Sequence, residues 1–250
     1  MSVLELYEPL NSPIKVDNNI WIVNGSITKM AVGPIKVPFT TRMTIIKLNN
    51  EDLFLHSPIE PTEKLIEQVN SIGKVKHLIS PNKIHYAHIQ SWKQYYPDAT
   101  AWASPGVKER ARSQKIYVDF DEDLTPTPPT YWSNEIDQIF FRGSRYMEEV
   151  VFFHRAGHVL ILTDLIENFE LQKVKSLLFR LLLRIAGNYH PVGKTPIDLR
   201  ATFFGGKKEA SKSLQEILSW KPEKIIISHG KCIFENAQDH LIKSFSWLDN

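Results

Sequence analysis

Two histidines and one aspartate each follow a short hydrophobic run: His85 after Val75–Ser80, Asp164 after His158–Thr163, and His229 after Lys224–Ser228. Each run reads as a buried strand, and side chains leaving the C-terminal ends of neighbouring strands converge where α/β-type sheets place ligands. Two imidazoles and a carboxylate meeting there form a set that can hold a metal ion. Each of the three also has a purely structural account. Asp164-Leu-Ile-Glu167 has the spacing of a helix capping box. His229-Gly230 reads equally as a polar turn, and His85 as an early-helix residue bonded to backbone.

For these residues to meet, the strands before them must lie side by side. The N-terminal part reads as strands at Ile20–Val23, Arg42–Leu48 and Asp52–His56, with Asn49-Asn50 as a turn. A helix is predicted from Pro61, with Leu65, Ile66, Val69 and Ile72 on one face and Gly73 closing it. Strand and helix then alternate: the strand ending at Ser80, a helix over 84–96, a strand at 99–102 and a helix opened by Pro105. Such alternation implies parallel pairing with helices packed outside the sheet. The proline-rich stretch 121–134 is predicted to be an extended surface connection. Beyond it come strands at 136–141, 150–154 and 158–163, a helix over 169–186, an irregular stretch through Gly206, a helix over 207–220, a strand at 224–228 and a closing helix. This order predicts two similar halves forming an αββα sandwich of the α/β class, a single domain spanning 1–250.

Composition excludes several classes. The chain is 42% hydrophobic and 23% charged, which rules out disorder of the whole. Thirty basic residues against 28 acidic ones give a formal charge of +2, so no global field recruits nucleic acid or an anionic membrane. Cys232 is the only cysteine, which excludes an intramolecular disulfide and a thiolate zinc cage and fits a reducing compartment. The N-terminus lacks the basic start and apolar run of a signal peptide, and Leu177–Ala186 is too short to span a bilayer. A cytoplasmic protein, monomer or homodimer, acting on a small molecule is expected. Gly187–Thr195 has P-loop-like composition, but five residues separate its glycines instead of four and it follows a helix, so no nucleotide is expected.

In motif order the chain resembles the metallo-β-lactamase-fold superfamily, in particular an uncharacterised branch found in cyanobacteria and plants. The likeness runs from about Ile20 to His240. The superfamily's H-x-H-x-D-H signature falls on Ser80-Pro-Asn82-Lys-Ile84-His85, its metal-bridging Asp on Asp164 and its final Gly-His-Gly histidine on His229. The resemblance implies one metal site made of His85, Asp164 and His229, with Ile84 in place of a fourth ligand. It leaves the second site with Ser80, Asn82 and Arg145, which do not ligate a cation. Two histidines and one carboxylate with open positions suit Zn²⁺ or Fe²⁺.

Other residues are expected near the cleft. His56 stands where the superfamily has an Asp and is expected to hydrogen-bond Ser80 or Asn82, while His88 lies one helical turn after His85. The wide apolar face of the helix over 169–186 is expected to be covered by the loop 187–206 or, as the second choice, to form a homodimer contact. Two functions fit this pattern. One is a mononuclear metal-dependent hydrolase of a small ester, amide or phosphoester; the other is a catalytically inactive scaffold that binds a ligand or a protein.

Overall fold

The computed structural model describes residues 3–32 and 35–249. Seven strands form the first sheet in sequence order: β1 (Ile14–Asp17), β2 (Ile20–Val32), β3 (Ile35–Lys47), β4 (Asp52–His56), β5 (Lys74–Ile79), β6 (Thr100–Ala103) and β7 (Glu122–Asp123). Pairing is antiparallel through β4 and parallel from β4 to β7. The second sheet contains β8 (Ile136–Phe141), β9 (Glu149–His154), β10 (Val159–Ile161) and β11 (Lys224–Ile226). It repeats the scheme, with β8, β9 and β10 antiparallel and β10 parallel to β11.

Alternation of apolar residues gives each sheet two faces to bury. Between the sheets, Phe54 of β4 meets Phe152 of β9 edge-on at 5.2 Å and Trp132 at 5.0 Å. On the outer face of the first sheet, Val23, Leu55 and Leu78 pack with Leu65 and Val69 of α1 (Glu63–Ile72), Ile89 and Trp92 of α2 (Ile89–Tyr95) and Val107 of α3 (Val107–Ser113). Thr62 caps α1, its hydroxyl accepting from the Leu65 amide. The second sheet is covered by α6 (Lys207–Ser219) and α7 (Ala237–Ser244), through Leu214, Ile217 and Leu241. The architecture is the expected αββα sandwich.

Several elements differ from the expectations. The hairpin β2–β3 is far longer than two short strands, because pairing continues past Asn24 to Val32 and Ile35. The predicted helix over 84–96 starts only at Ile89, since Asn82 Oδ1 accepts the amides of Ile84 and His85 and holds that stretch as a loop. The predicted helix over 169–186 is broken. Asn168, Phe169 and Val174 form β-bridges with Gly230, Tyr189 and Leu4, so only a 3₁₀ turn (Leu171–Lys173) and α4 (Leu177–Ala186) are helical. Loop 187–206, which carries α5 (Ile197–Ala201), does not cover α4: Leu177, Leu178, Leu181, Leu182 and Ile185 are all exposed. Among the described residues no helix is long and apolar enough to cross a membrane.

His77 of β5 lies inside the sandwich against Trp102, Tyr131 and Trp132. The Trp102 indole donates to its Nδ1, so the imidazole is neutral with its proton on Nε2, which has no partner. Burial holds its pKa down at about 4, and that of fully buried His56 at about 3. Both rings accept protons near pH 6.5 once unfolded. The stability they confer is present above pH 6.5 and lost as pH falls from there toward their folded values. Urea denaturation between pH 6.5 and 4 should show stability falling steeply, and His77→Gln should remove one proton's share of that slope, about 1.4 kcal/mol per pH unit; an unchanged slope would refute the assignment.

Candidate metal centre

Asp164 sits just past β10, in a non-helical turn, so its side chain caps no helix. The carboxylate faces both histidines instead. His85 Nε2 lies 3.1 Å from Asp164 Oδ2, and His229 Nε2 lies 3.1 Å from Asp164 Oδ1. One ligand atom from each of His85, Asp164 and His229 lies within 4.8 Å of the others. The loop after β5, the turn after β10 and the turn after β11 thus converge at one rim of the sandwich.

Each imidazole is fixed from behind. His229 Nδ1 lies 2.6 Å from the Thr40 backbone oxygen, which can only accept, so the proton of the neutral ring is on Nδ1. Its Nε2 lone pair then faces a carboxylate oxygen, and the two acceptors tolerate that approach only with a positive charge between them: a metal ion or an added proton. His85 Nδ1 shares a 2.6 Å hydrogen bond with Ser57 Oγ. Despite desolvation, the adjacent Asp164 raises the pKa of His85, and the two imidazoles hold the Asp164 carboxyl far below its usual range against the same burial. The donor set is chemically that of a two-histidine, one-carboxylate site. Its 3.1 Å separations approach the roughly 3.3 Å spacing of ligands about 2.0 Å from a tetrahedral ion.

Among the described residues no second group of three such ligands lies together. Asn82 turns its amide nitrogen toward Asp164 Oδ2 at 2.6 Å, Thr163 Oγ1 at 2.8 Å and Glu149 Oε2 at 3.2 Å. Its orientation is not ambiguous, because Oδ1 accepts from the Ile84 and His85 amides. N–H groups therefore point into the space beside Asp164 and repel a cation. Glu149, buried at the start of β9, accepts from the amides of Thr163 and Asp164 at 2.7 and 2.8 Å. Burial and the Asp164 charge push its carboxyl up, and those hydrogen bonds draw it back.

The remaining sequence candidates lie as follows. His88 lines the same cleft of about 240 Å³ as His85, Asp164 and His229. Ser80 is buried beneath the loop, its hydroxyl donating to the Asn82 carbonyl. His56 packs edge-on to Phe152 and its Nε2 is unpartnered, so it bonds neither Ser80 nor Asn82. Arg145 lines a separate depression and lies over Phe204.

Two supports escaped the sequence reading. Arg42 of β3 is buried, and its Nη1 donates to the carbonyls of Ile227 and Gly230 at 2.6 and 2.8 Å, pinning the turn that carries His229. Its Nε donates to Asn24 Oδ1 at 2.9 Å. Gly230 completes the turn with φ +101°, and a Cβ there would lie 2.3 Å from the Asn168 carbonyl oxygen. The sequence signals were a lone cation beside the largely apolar run 43–46 for Arg42 and, for Glu149, a carboxylate directly before the apolar run 150–153.

Comparison with solved structures shows the same fold at low identity. A metallo-β-lactamase from Pontibacter korlensis aligns with TM-score 0.62 and 15% identity, covering 98% of this chain and 100% of its own. The metallo-β-lactamase FIM-1 from Pseudomonas aeruginosa, in its mono-zinc form, aligns with TM-score 0.62 and 10% identity over 95% and 94%. Rubredoxin oxygen:oxidoreductase from Desulfovibrio gigas aligns with TM-score 0.67 and 14% identity, covering 95% of this chain and 62% of its own. No curated protein matches in sequence. One family model does match, over residues 17–183, which include His85 and Asp164 but stop short of His229. A metallo-β-lactamase fold with that match over two thirds of its length places the chain in the family described as Domain of unknown function (DUF4336).

Proposed function

We propose that this protein is a hydrolase that uses one divalent metal ion, held by His85, Asp164 and His229, to cleave an ester, amide or phosphoester with water. The observation that carries this reading is the approach of His229 Nε2 to Asp164 Oδ1 at 3.1 Å while Thr40 keeps the imidazole proton on the far nitrogen. A bound divalent ion would polarise a substrate oxygen and lower the pKa of water toward neutrality, which is the chemistry hydrolysis requires. A neighbour of the same fold, from Pseudomonas aeruginosa, has a mono-zinc form, which supports a site for a single ion.

The chain's own groups divide the remaining tasks. Thr40 and Ser57 hold the two imidazoles in position, and Asn82 keeps the second oxygen of Asp164 occupied. Ile84, beside the site, cannot take a proton from water. His88 is the cleft's other imidazole, and burial lowers its pKa, leaving it a neutral base at physiological pH. We assign it the proton released when water attacks.

Protein purified without a chelating tag and loaded with Zn²⁺ or Fe²⁺ should contain one metal per chain by elemental analysis and hydrolyse a p-nitrophenyl ester only when loaded. Asp164→Asn should lose both. A chain that takes up no metal overturns the proposal, and metal without turnover of any ester or phosphodiester leaves the ligand-binding scaffold as the function. Ser57→Ala should weaken zinc about 10- to 100-fold in competition with a chromophoric chelator, because His85 loses the partner that orients it. His88→Gln should keep full metal content and lower kcat by about 100-fold; unchanged kcat would remove His88 from the mechanism.

A further inference from the structure

A second and larger cavity, of about 480 Å³, adjoins the metal-site cleft and shares Phe39, Ile84, Arg110 and Asp164 with it. Its size is that of a ligand pocket. Phe39, Met147, Phe169, Phe179, Leu183 and Leu199 supply apolar walls. Of the buried polar atoms that reach it, the Asn188 Oδ1 acceptor is without a partner among the described residues, and the others are engaged. Asn188 Nδ2 donates to Glu167 Oε2 at 2.7 Å, and Asp164 is held by His85, His229 and Asn82. Two of the lining residues, Leu182 of α4 and Ile197 of α5, are 50% and 59% exposed, so the cavity reaches the surface between these helices.

Charge at the junction is equally specific. Arg110 of α3 lines both cavities and forms no ion pair or side-chain hydrogen bond among the described residues, although its neighbour Lys108 pairs with Asp123. A guanidinium left open beside an apolar chamber is complementary to a ligand that is anionic at one end and aliphatic along the rest.

We propose that this cavity binds the aliphatic chain of an anionic amphiphile, whose charged head lies in the shared mouth against Arg110. Placing the scissile group of such a ligand at His85, Asp164 and His229 rests on the hydrolase reading above; binding of the chain does not.

Titration calorimetry of the full chain, metal-loaded and metal-free, with butyrate, octanoate and dodecanoate tests this. Affinity should rise at least 100-fold from butyrate to dodecanoate. Leu182→Glu and Ile197→Glu, both at exposed positions, should each weaken dodecanoate at least tenfold, while Ile242→Glu, equally exposed but outside the cavity, should not. Arg110→Gln should weaken dodecanoate and leave dodecanol unaffected. Binding from dilute solution assigns a free amphiphile as the source. Binding only from phosphatidylglycerol vesicles carrying dodecanoate assigns a lipid surface, and binding from neither overturns the proposal. Equal affinity along the series, or an Ile242→Glu effect as large as the others, also overturns it. A protein that holds metal and cleaves esters but ignores dodecanoate fails this inference alone; one that binds dodecanoate yet takes up no metal fails the hydrolase reading alone.

Discussion

A carboxylate as buried as that of Asp164 stays ionised only where each of its oxygens meets a hydrogen-bond donor or a cation. The surroundings meet that demand with three groups: His85 and Asn82 from the loop after β5, and His229 from the turn after β11. Removing any one leaves an exposed charge in a low-dielectric place. His229 Nε2 faces Oδ1 alone, whereas Oδ2 is shared between His85 Nε2 and the Asn82 amide, whose hydrogens fill the space beside it.

Arg42 answers a related problem by different means. It is a buried cation with no carboxylate against it, and its hydrogens go to main-chain oxygens, Asn24 and the Cys232 sulfur, with the Tyr7 ring at 5.4 Å. The carbonyl dipoles stabilise the guanidinium and leave its positive charge uncancelled. Because Arg42 belongs to the first sheet and its carbonyl acceptors to the turn beyond β11, the position of His229 is set by the docking of one sheet on the other. The site and the sandwich are therefore one cooperative unit, and any ligand that ties His85 to His229 also ties the halves together.

Much of this arrangement was legible in the residues. The strands before His85, Asp164 and His229 stand out because apolar runs of four to six residues bounded by polar turns have few other readings. The αββα order followed from the repeat of strands and helices. What the residues concealed was long-range. Nothing local shows that Asn82 folds its side chain back onto the amides of residues 84 and 85, which delays α2 to Ile89. Nor could helical periodicity reveal that Phe169 and Val174 would pair with Tyr189 and Leu4, segments distant in sequence, and so cut a predicted helix in two. The capping-box spacing of Asp164 and Glu167 was a local pattern overruled by stronger tertiary partners for both carboxylates.

The acceptor that fixes the His229 proton is a main-chain oxygen, and the Thr40 hydroxyl takes no part, being without a partner itself. Control over the imidazole's tautomer is thus written into the position of a strand and not into a side chain. Most replacements at residue 40 would leave the ring's chemistry untouched. A one-residue slip of β3 against β2 would not: it would withdraw the carbonyl and the Arg42 clamp together, erasing the centre while every residue in it remained unaltered.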